Sequence, residues 1–163
     1  MQPEWSIPLK RSREKTGEHG VLIVNLKLTA SMSYTRPYPG PYGAMTKKIL
    51  VVEDLADIRK MMKIMVELYG YEVIEARDGT EAIEQARTHN PSLVLMDLAM
   101  PLMNGADAAR AIKSTESCAN IPIIAVTAYR NMDQEALDAG CEQVIHKPVD
   151  FLKLKTLLAE HAI

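Results

Sequence analysis

The sequence predicts an α/β fold in which a parallel β-sheet is covered by helices on both faces. Three observations predict it. From Met45 onward the hydrophobic period switches back and forth between strand and helix through five strand–helix units. The strand-like runs are apolar on both faces, as strands buried on both sides are. Each is followed by an amphipathic stretch that can supply the right-handed crossover a parallel sheet requires.

The elements follow in order. KKILVVED, at 47–54, is a short β-rich run and the first strand. In DIRKMMKIMVELYG, Ile58, Met62, Met65 and Tyr69 recur at helical spacing, and Gly70 supplies the C-terminal cap. Met61, Met62 and Met65 are expected to fill the core. YEVIEA, at 71–76, is the second strand, and Asp78 caps a helix through Thr88 that Asn90-Pro91 breaks. LVLMD, at 93–97, forms the third strand. After Asn104-Gly105 the helix ADAARAIKST leads to IPIIAVT, the fourth strand. A short helix over 133–139 is closed by Gly140, QVIH is the fifth strand, and VDFLKLKTLLAEH is a final helix with Phe151, Leu154 and Leu158 on one face.

Composition narrows the class. With 163 residues, 47% hydrophobic and 25% charged, the chain has the size and balance of one soluble domain. A net charge of −2 gives no electrostatic reason for polyanion binding, so nucleic acid is not an expected partner. No apolar run approaches the roughly 20 residues of a membrane helix, so no membrane association is expected either. Cys118 and Cys141 form no CxxC pair and have no His-rich neighbourhood, and read as reduced structural residues.

Residues 1–44 differ from the rest. They hold five of the nine prolines and carry a charge of +3, against −5 for 45–163. The apolar patch VLIVNLKL behind Lys10, Arg11, Arg13 and Lys15 has the outline of a secretory signal, but Asn25 and Lys27 interrupt it. The expectation is a disordered extension over 1–44 and a folded cytoplasmic domain over 45–163.

In parallel sheets ligands bind beyond the carboxyl ends of the strands. There the first strand exits on Glu53-Asp54, the third on Asp97, the fourth on Thr127 and the fifth on Lys147-Pro148. Three converging carboxylates repel one another unless a cation neutralises them. Oxygen ligands without His or Cys, at a site open to water and phosphate, select Mg²⁺. Lys147 adds a fixed positive charge and Thr127 a hydroxyl donor, a set that suits a phosphoryl group. Asp97, on the strand expected to be central, is placed as a nucleophile that forms an acyl phosphate, with the backbone carbonyl of Ala99 as an extra metal ligand.

VVED (51–54), LMDLAMPLMNG (95–105), AVTAY (125–129) and HKP (146–148) occur in this order, with spacings of 43, 30 and 20 between Asp54, Asp97, Thr127 and Lys147. On these motifs residues 47–161 resemble the receiver domain of two-component response regulators, of the single-domain CheY-like type. The resemblance implies a flavodoxin-like sheet of order 2-1-3-4-5. It implies a phosphoprotein with Asp97 as phosphoacceptor from a histidine kinase or histidine phosphotransfer protein, Glu53 and Asp54 as the acidic pair around Mg²⁺, Thr127 as switch hydroxyl and Lys147 as phosphate contact. It also implies a Lys147-Pro148 bond that is often cis. Of the acidic pair, Asp54 is expected to ligate directly and Glu53 through water. The chain departs from the family at Val144, where an aromatic usually stands three residues before the lysine; Tyr129 occupies a different position.

The leading expectation is a non-enzymatic phosphoacceptor with at most slow self-dephosphorylation. The sequence ends about one helix after Lys147, so no output domain is expected and action is by contact with a downstream protein. An alternative is a phosphorylation-independent protein-binding module with the same fold. An aspartyl-phosphate hydrolase would use DxD, its second acid serving as proton donor; here the pattern is DLA, and Ala99 cannot do that chemistry.

Overall fold

A computed structural model of the chain describes residues 47–161, with Phe151 described by its backbone alone. The extension expected over 1–44 lies outside the described residues. The strands are β1 (Lys48–Val52), β2 (Glu72–Ala76), β3 (Leu93–Asp97), β4 (Ile123–Thr127) and β5 (Gln143–His146). Between and after them run α1 (Ala56–Leu68), α2 (Gly79–His89), α3 (Gly105–Ser114), α4 (Asp133–Asp138) and α5 (Phe151–His161). Every pairing is parallel and the strand order is β2-β1-β3-β4-β5, the flavodoxin-like arrangement.

Alternation along the strands sorts the interior into two layers. Ile49 and Val51 of β1, with Leu93 and Leu95 of β3, pack against Met62, Met65 and Val66 of α1 and Leu154, Leu157 and Leu158 of α5. Leu50, Val52, Val94 and Met96 face the other way, onto alanines of α2, α3 and α4 together with Ile112. Small residues let those helices approach the sheet closely.

Local chemistry sets the helix ends. The Asp78 carboxylate accepts from the Glu81 N–H at 2.8 Å, and Asn104 accepts from the Asp107 N–H at 2.8 Å, so both are side-chain N-caps. Gly70 ends the turn after α1 at φ +88°, a conformation that favours glycine. Asn90 follows α2 in the left-handed region at φ 45°. The Lys147-Pro148 peptide is cis.

Two expectations need correction, and the structure adds one turn. Met61 does not fill the core: it lies off the stripe of Ile58, Met62, Met65 and Tyr69 and is 47% exposed. The strands are not all buried on both faces, because β2 and β5 are sheet edges and are largely half-exposed. A 3₁₀ turn, Arg130–Met132, precedes α4 and had no periodic signature in the sequence. Leu154 and Leu158 are buried as expected, while the Phe151 side chain is outside the described part.

The topology reverses between β1 and β3: the chain goes outward to β2 and then returns to the far side of β1. Crossovers on opposite faces leave a crevice at the carboxyl ends of these two strands. Glu53, Asp54 and Asp97 are delivered into it.

Candidate acidic site at the strand ends

Asp97 is the last residue of β3, a strand whose five residues are all buried and paired on both sides. Its carboxylate is held at both oxygens: Oδ1 accepts from the Ala99 N–H at 3.0 Å, and Oδ2 from the Lys147 ammonium at 2.7 Å. Lys147 also donates to Glu53 Oε2 at 2.7 Å. Gly105 makes the close packing possible. A Cβ there would collide with the Asp97 carbonyl, so α3 starts directly against the strand end only because no side chain intervenes.

Glu53 is fully buried, while Asp54 beside it is half-buried. One carboxylate oxygen from each of Glu53, Asp54 and Asp97 lies within 4.8 Å of the others. Burial is the largest influence on Glu53 and raises its pKa; the Lys147 hydrogen bond opposes the rise and the Asp97 charge adds to it. For Lys147, burial alone pulls the pKa down. Its hydrogen bonds to Asp97 and Glu53, and their charges, outweigh burial, so the pKa stands above the ordinary lysine value.

The side chains fit a divalent cation. Glu53 Oε1 is buried without a hydrogen-bond partner, a situation that costs about 1–3 kcal/mol when nothing occupies the oxygen. Three ionised carboxylates against one ammonium leave two negative charges uncompensated. A hard ion of charge +2 among all-oxygen donors would offset both deficits.

Thr127 stands differently from the sequence expectation of a hydroxyl in the acid–lysine group. It is fully buried, its hydroxyl accepts from the Tyr129 N–H at 3.1 Å, and it reaches the Met132 sulfur at 3.9 Å. By the alternation of β4 it falls on the face of Ile123 and Ala125, whereas Asp97 and Lys147 follow the opposite face. The two neighbourhoods meet through the backbone, where the Lys147 N–H donates to the Thr127 carbonyl at 2.9 Å.

Around the site, His146 on the β5 edge lies 3.2 Å from Asp133 at the start of α4. The structure also brings in Arg59, which the sequence reading passed over. From the first turn of α1 its guanidinium donates to the carbonyls of Glu53, at 2.7 Å, and Asp54, at 3.3 Å. A cation five residues past the acidic pair, on a helix that starts at that pair, was the available signal.

Comparison with known proteins agrees with this geometry. Residues 49–159 match the response regulator receiver domain family. The polar-differentiation response regulator DivK of Brucella ovis is 38% identical over 107 residues, spanning 64% of this chain and 87% of its own. Among solved structures, the receiver domain of a Pseudomonas aeruginosa sensor histidine kinase, with magnesium coordinated in its active-site cleft, has a TM-score of 0.68 at 29% identity, covering 72% of this chain and 98% of its own. The chemotaxis protein CheY4 of Vibrio cholerae has a TM-score of 0.67 at 28% identity, covering 72% of this chain and 99% of its own. Matching in sequence over most of its length and in fold over the described part, the chain belongs to the response regulator receiver domain family of two-component signalling.

Proposed function

We propose that the chain is a phosphoacceptor in a His-to-Asp phosphorelay, with residues 45–163 as the receiver domain. Asp97 takes the phosphoryl group from a histidine kinase or histidine phosphotransfer protein in the cytoplasm. The observation that carries this reading is the Asp97 carboxylate itself, fixed at both oxygens beside two further acids and a lysine. In the transfer an Asp97 oxygen forms the new O–P bond as the P–N bond of the donor phosphohistidine breaks. The imidazole leaves with the electron pair and is reprotonated.

Each residue has a role in this reading. β3 holds Asp97 still, which lowers the entropic cost of attack. Lys147, already on Oδ2, offsets the charge of the incoming phosphoryl oxygens. Asp54, Glu53, Asp97 and the Ala99 carbonyl would hold Mg²⁺, with Asp54 as a direct ligand. When bound, that ion supplies charge neutralisation between the acids and the phosphoryl group. Thr127 would leave Met132 to reach the phosphoryl group, carrying the loop before α4 with it and altering the surface that a downstream protein reads. With Ala99 where a proton donor would stand, loss of the phosphoryl group is slow and the protein is no general phosphatase.

Treatment with Mg²⁺ and a small phosphodonor should give an acid-stable, alkali-labile adduct on the wild type and none on Asp97→Asn. An adduct that persists in Asp97→Asn defeats the assignment. Val144 in place of the usual aromatic favours a second reading, a binding module that ignores phosphate. A partner that binds equally with and without beryllofluoride would support that one.

A further inference from the structure

We propose that Arg59 is a positioning residue for the acidic turn: anchored on Glu75, its guanidinium holds the Glu53–Asp54 backbone so that both carboxylates face one divalent cation. The proposal deepens the reading given above and rests on its Mg²⁺ site. Nothing in the motif set assigns Arg59 a part.

The geometry is a chain of supports. Glu75 lies on β2, in register with Val51 of β1, and is therefore fixed to the sheet. Its Oε2 stands 3.5 Å from Arg59 Nε, and its Oε1 accepts from Lys63 at 2.5 Å. From that anchor Arg59 Nη1 reaches the carbonyl oxygens of Glu53 and Asp54. The Glu53 N–H, meanwhile, donates to the Ala76 carbonyl at 3.1 Å. The turn is thus gripped at its N–H by β2 and at its carbonyls by α1. Both carbonyls are met by the same nitrogen, Nη1, while Nε faces Glu75, so the rigid plane of the guanidinium fixes the carbonyls relative to the anchor on β2, a relation that a lone ammonium does not impose.

Asp54 depends on this grip more than its neighbours do. Glu53 and Asp97 are tied through their carboxylates to Lys147, whereas the Asp54 carboxylate has no hydrogen-bond partner among the described residues. Its direction is inherited from the backbone. Loss of Arg59 would free the two peptide planes on either side of Asp54 to rotate, and would leave the buried end of β1 with an unpaired carbonyl.

The sign of the effect separates positioning from bulk electrostatics. Arg59 is a cation close to a cation site, so simple charge removal would strengthen Mg²⁺ binding. Positioning predicts the reverse.

The test is calorimetric titration of the full chain with MgCl₂, alongside circular dichroism to confirm folding. Wild type is expected to bind, Arg59→Ala to bind roughly tenfold more weakly, and Arg59→Lys to recover part of the loss, in line with the ~10–100-fold effects of residues that orient metal ligands. Lys63→Ala removes the other cation on Glu75 without touching the carbonyls, and should bind as wild type or more tightly. Unchanged or tighter binding by Arg59→Ala overturns the proposal, as does equal weakening by Lys63→Ala. If wild type itself binds no Mg²⁺, the reading of the site falls first and this inference with it. Should Arg59→Ala fail to fold, Arg59→Met, which keeps the length of the stem and removes the charge and the donors, carries the decision: weaker binding supports positioning, and unchanged or tighter binding overturns it.

Discussion

Lys147 reaches Asp97 across the end of an intervening strand: β4 separates β3 from β5, yet the ammonium lies 2.7 Å from the carboxylate. The contact ties a central strand to a sheet edge at the point where charge is most crowded.

Replacing Lys147 with Ala should therefore expose the repulsion it masks. Without Mg²⁺, two buried carboxylates lose their cation, and the expected loss of stability is about 3 kcal/mol. Mg²⁺ should restore more stability to this variant than it adds to the wild type. Urea unfolding in chelator and in excess Mg²⁺ measures both, and an equal loss under the two conditions would assign the effect to packing instead.

The raised pKa of Glu53 makes a pH prediction whose sign is fixed. A carboxyl that binds its proton more tightly when folded contributes stability that is full below its unfolded value, 4.5 for the reference group, and is lost as pH rises through the higher folded value. The stability difference between wild type and Glu53→Gln, followed by urea midpoints in chelator, should thus move against the wild type as pH climbs above about 4.5. Mg²⁺ should flatten the slope, because the ion favours the ionised form.

Gly105 and Gly70 should respond unequally to alanine. At Gly105 the new methyl group meets the Asp97 backbone, which cannot yield, and a loss of about 3 kcal/mol is expected. At Gly70 there is open space, and the left-handed backbone alone costs about 1 kcal/mol. Thermal unfolding of the two variants tests the ranking, which would fail if Gly70→Ala were the worse.

Cys141 should be inert while the protein is folded. Burial pushes its thiol up to about 11 from 9.0, so the thiolate is scarce at pH 8. Iodoacetamide labelling should be at least about 100-fold slower in the native protein than in urea, given the scarcity of thiolate and the closed surroundings. The same shift stabilises the fold up to pH 9.0 and ceases to do so as pH passes about 11.

Most of the architecture was legible because its signals are local. The Asp78 cap and the Gly70 stop each depend on residues within a few positions, and the strand exits inherit their direction from the parallel sheet. What escaped depends on longer reach. The order that makes β2 and β5 edges came only with the family resemblance, and the half-exposure of those two strands went unread because periodicity alone does not contain strand order. Met61 is one apolar residue among several on α1, and its outward turn is set by the neighbouring stripe. Arg59 touches backbone carbonyls, acceptors that every residue possesses, so no pattern of side chains announces the contact. The present partners of Thr127 depend on the short turn before α4, which left no periodic trace.

The unequal confinement of the strands has a last consequence. β3 is locked on both flanks, while β5 is a four-residue margin with Ile145 as its buried member. Under the proposed phosphotransfer, a negative charge written onto Asp97 would meet an anvil beneath it, so whatever gave way would do so at the periphery. A recognising protein would then sense the rim of the sheet without ever touching the residue that was marked.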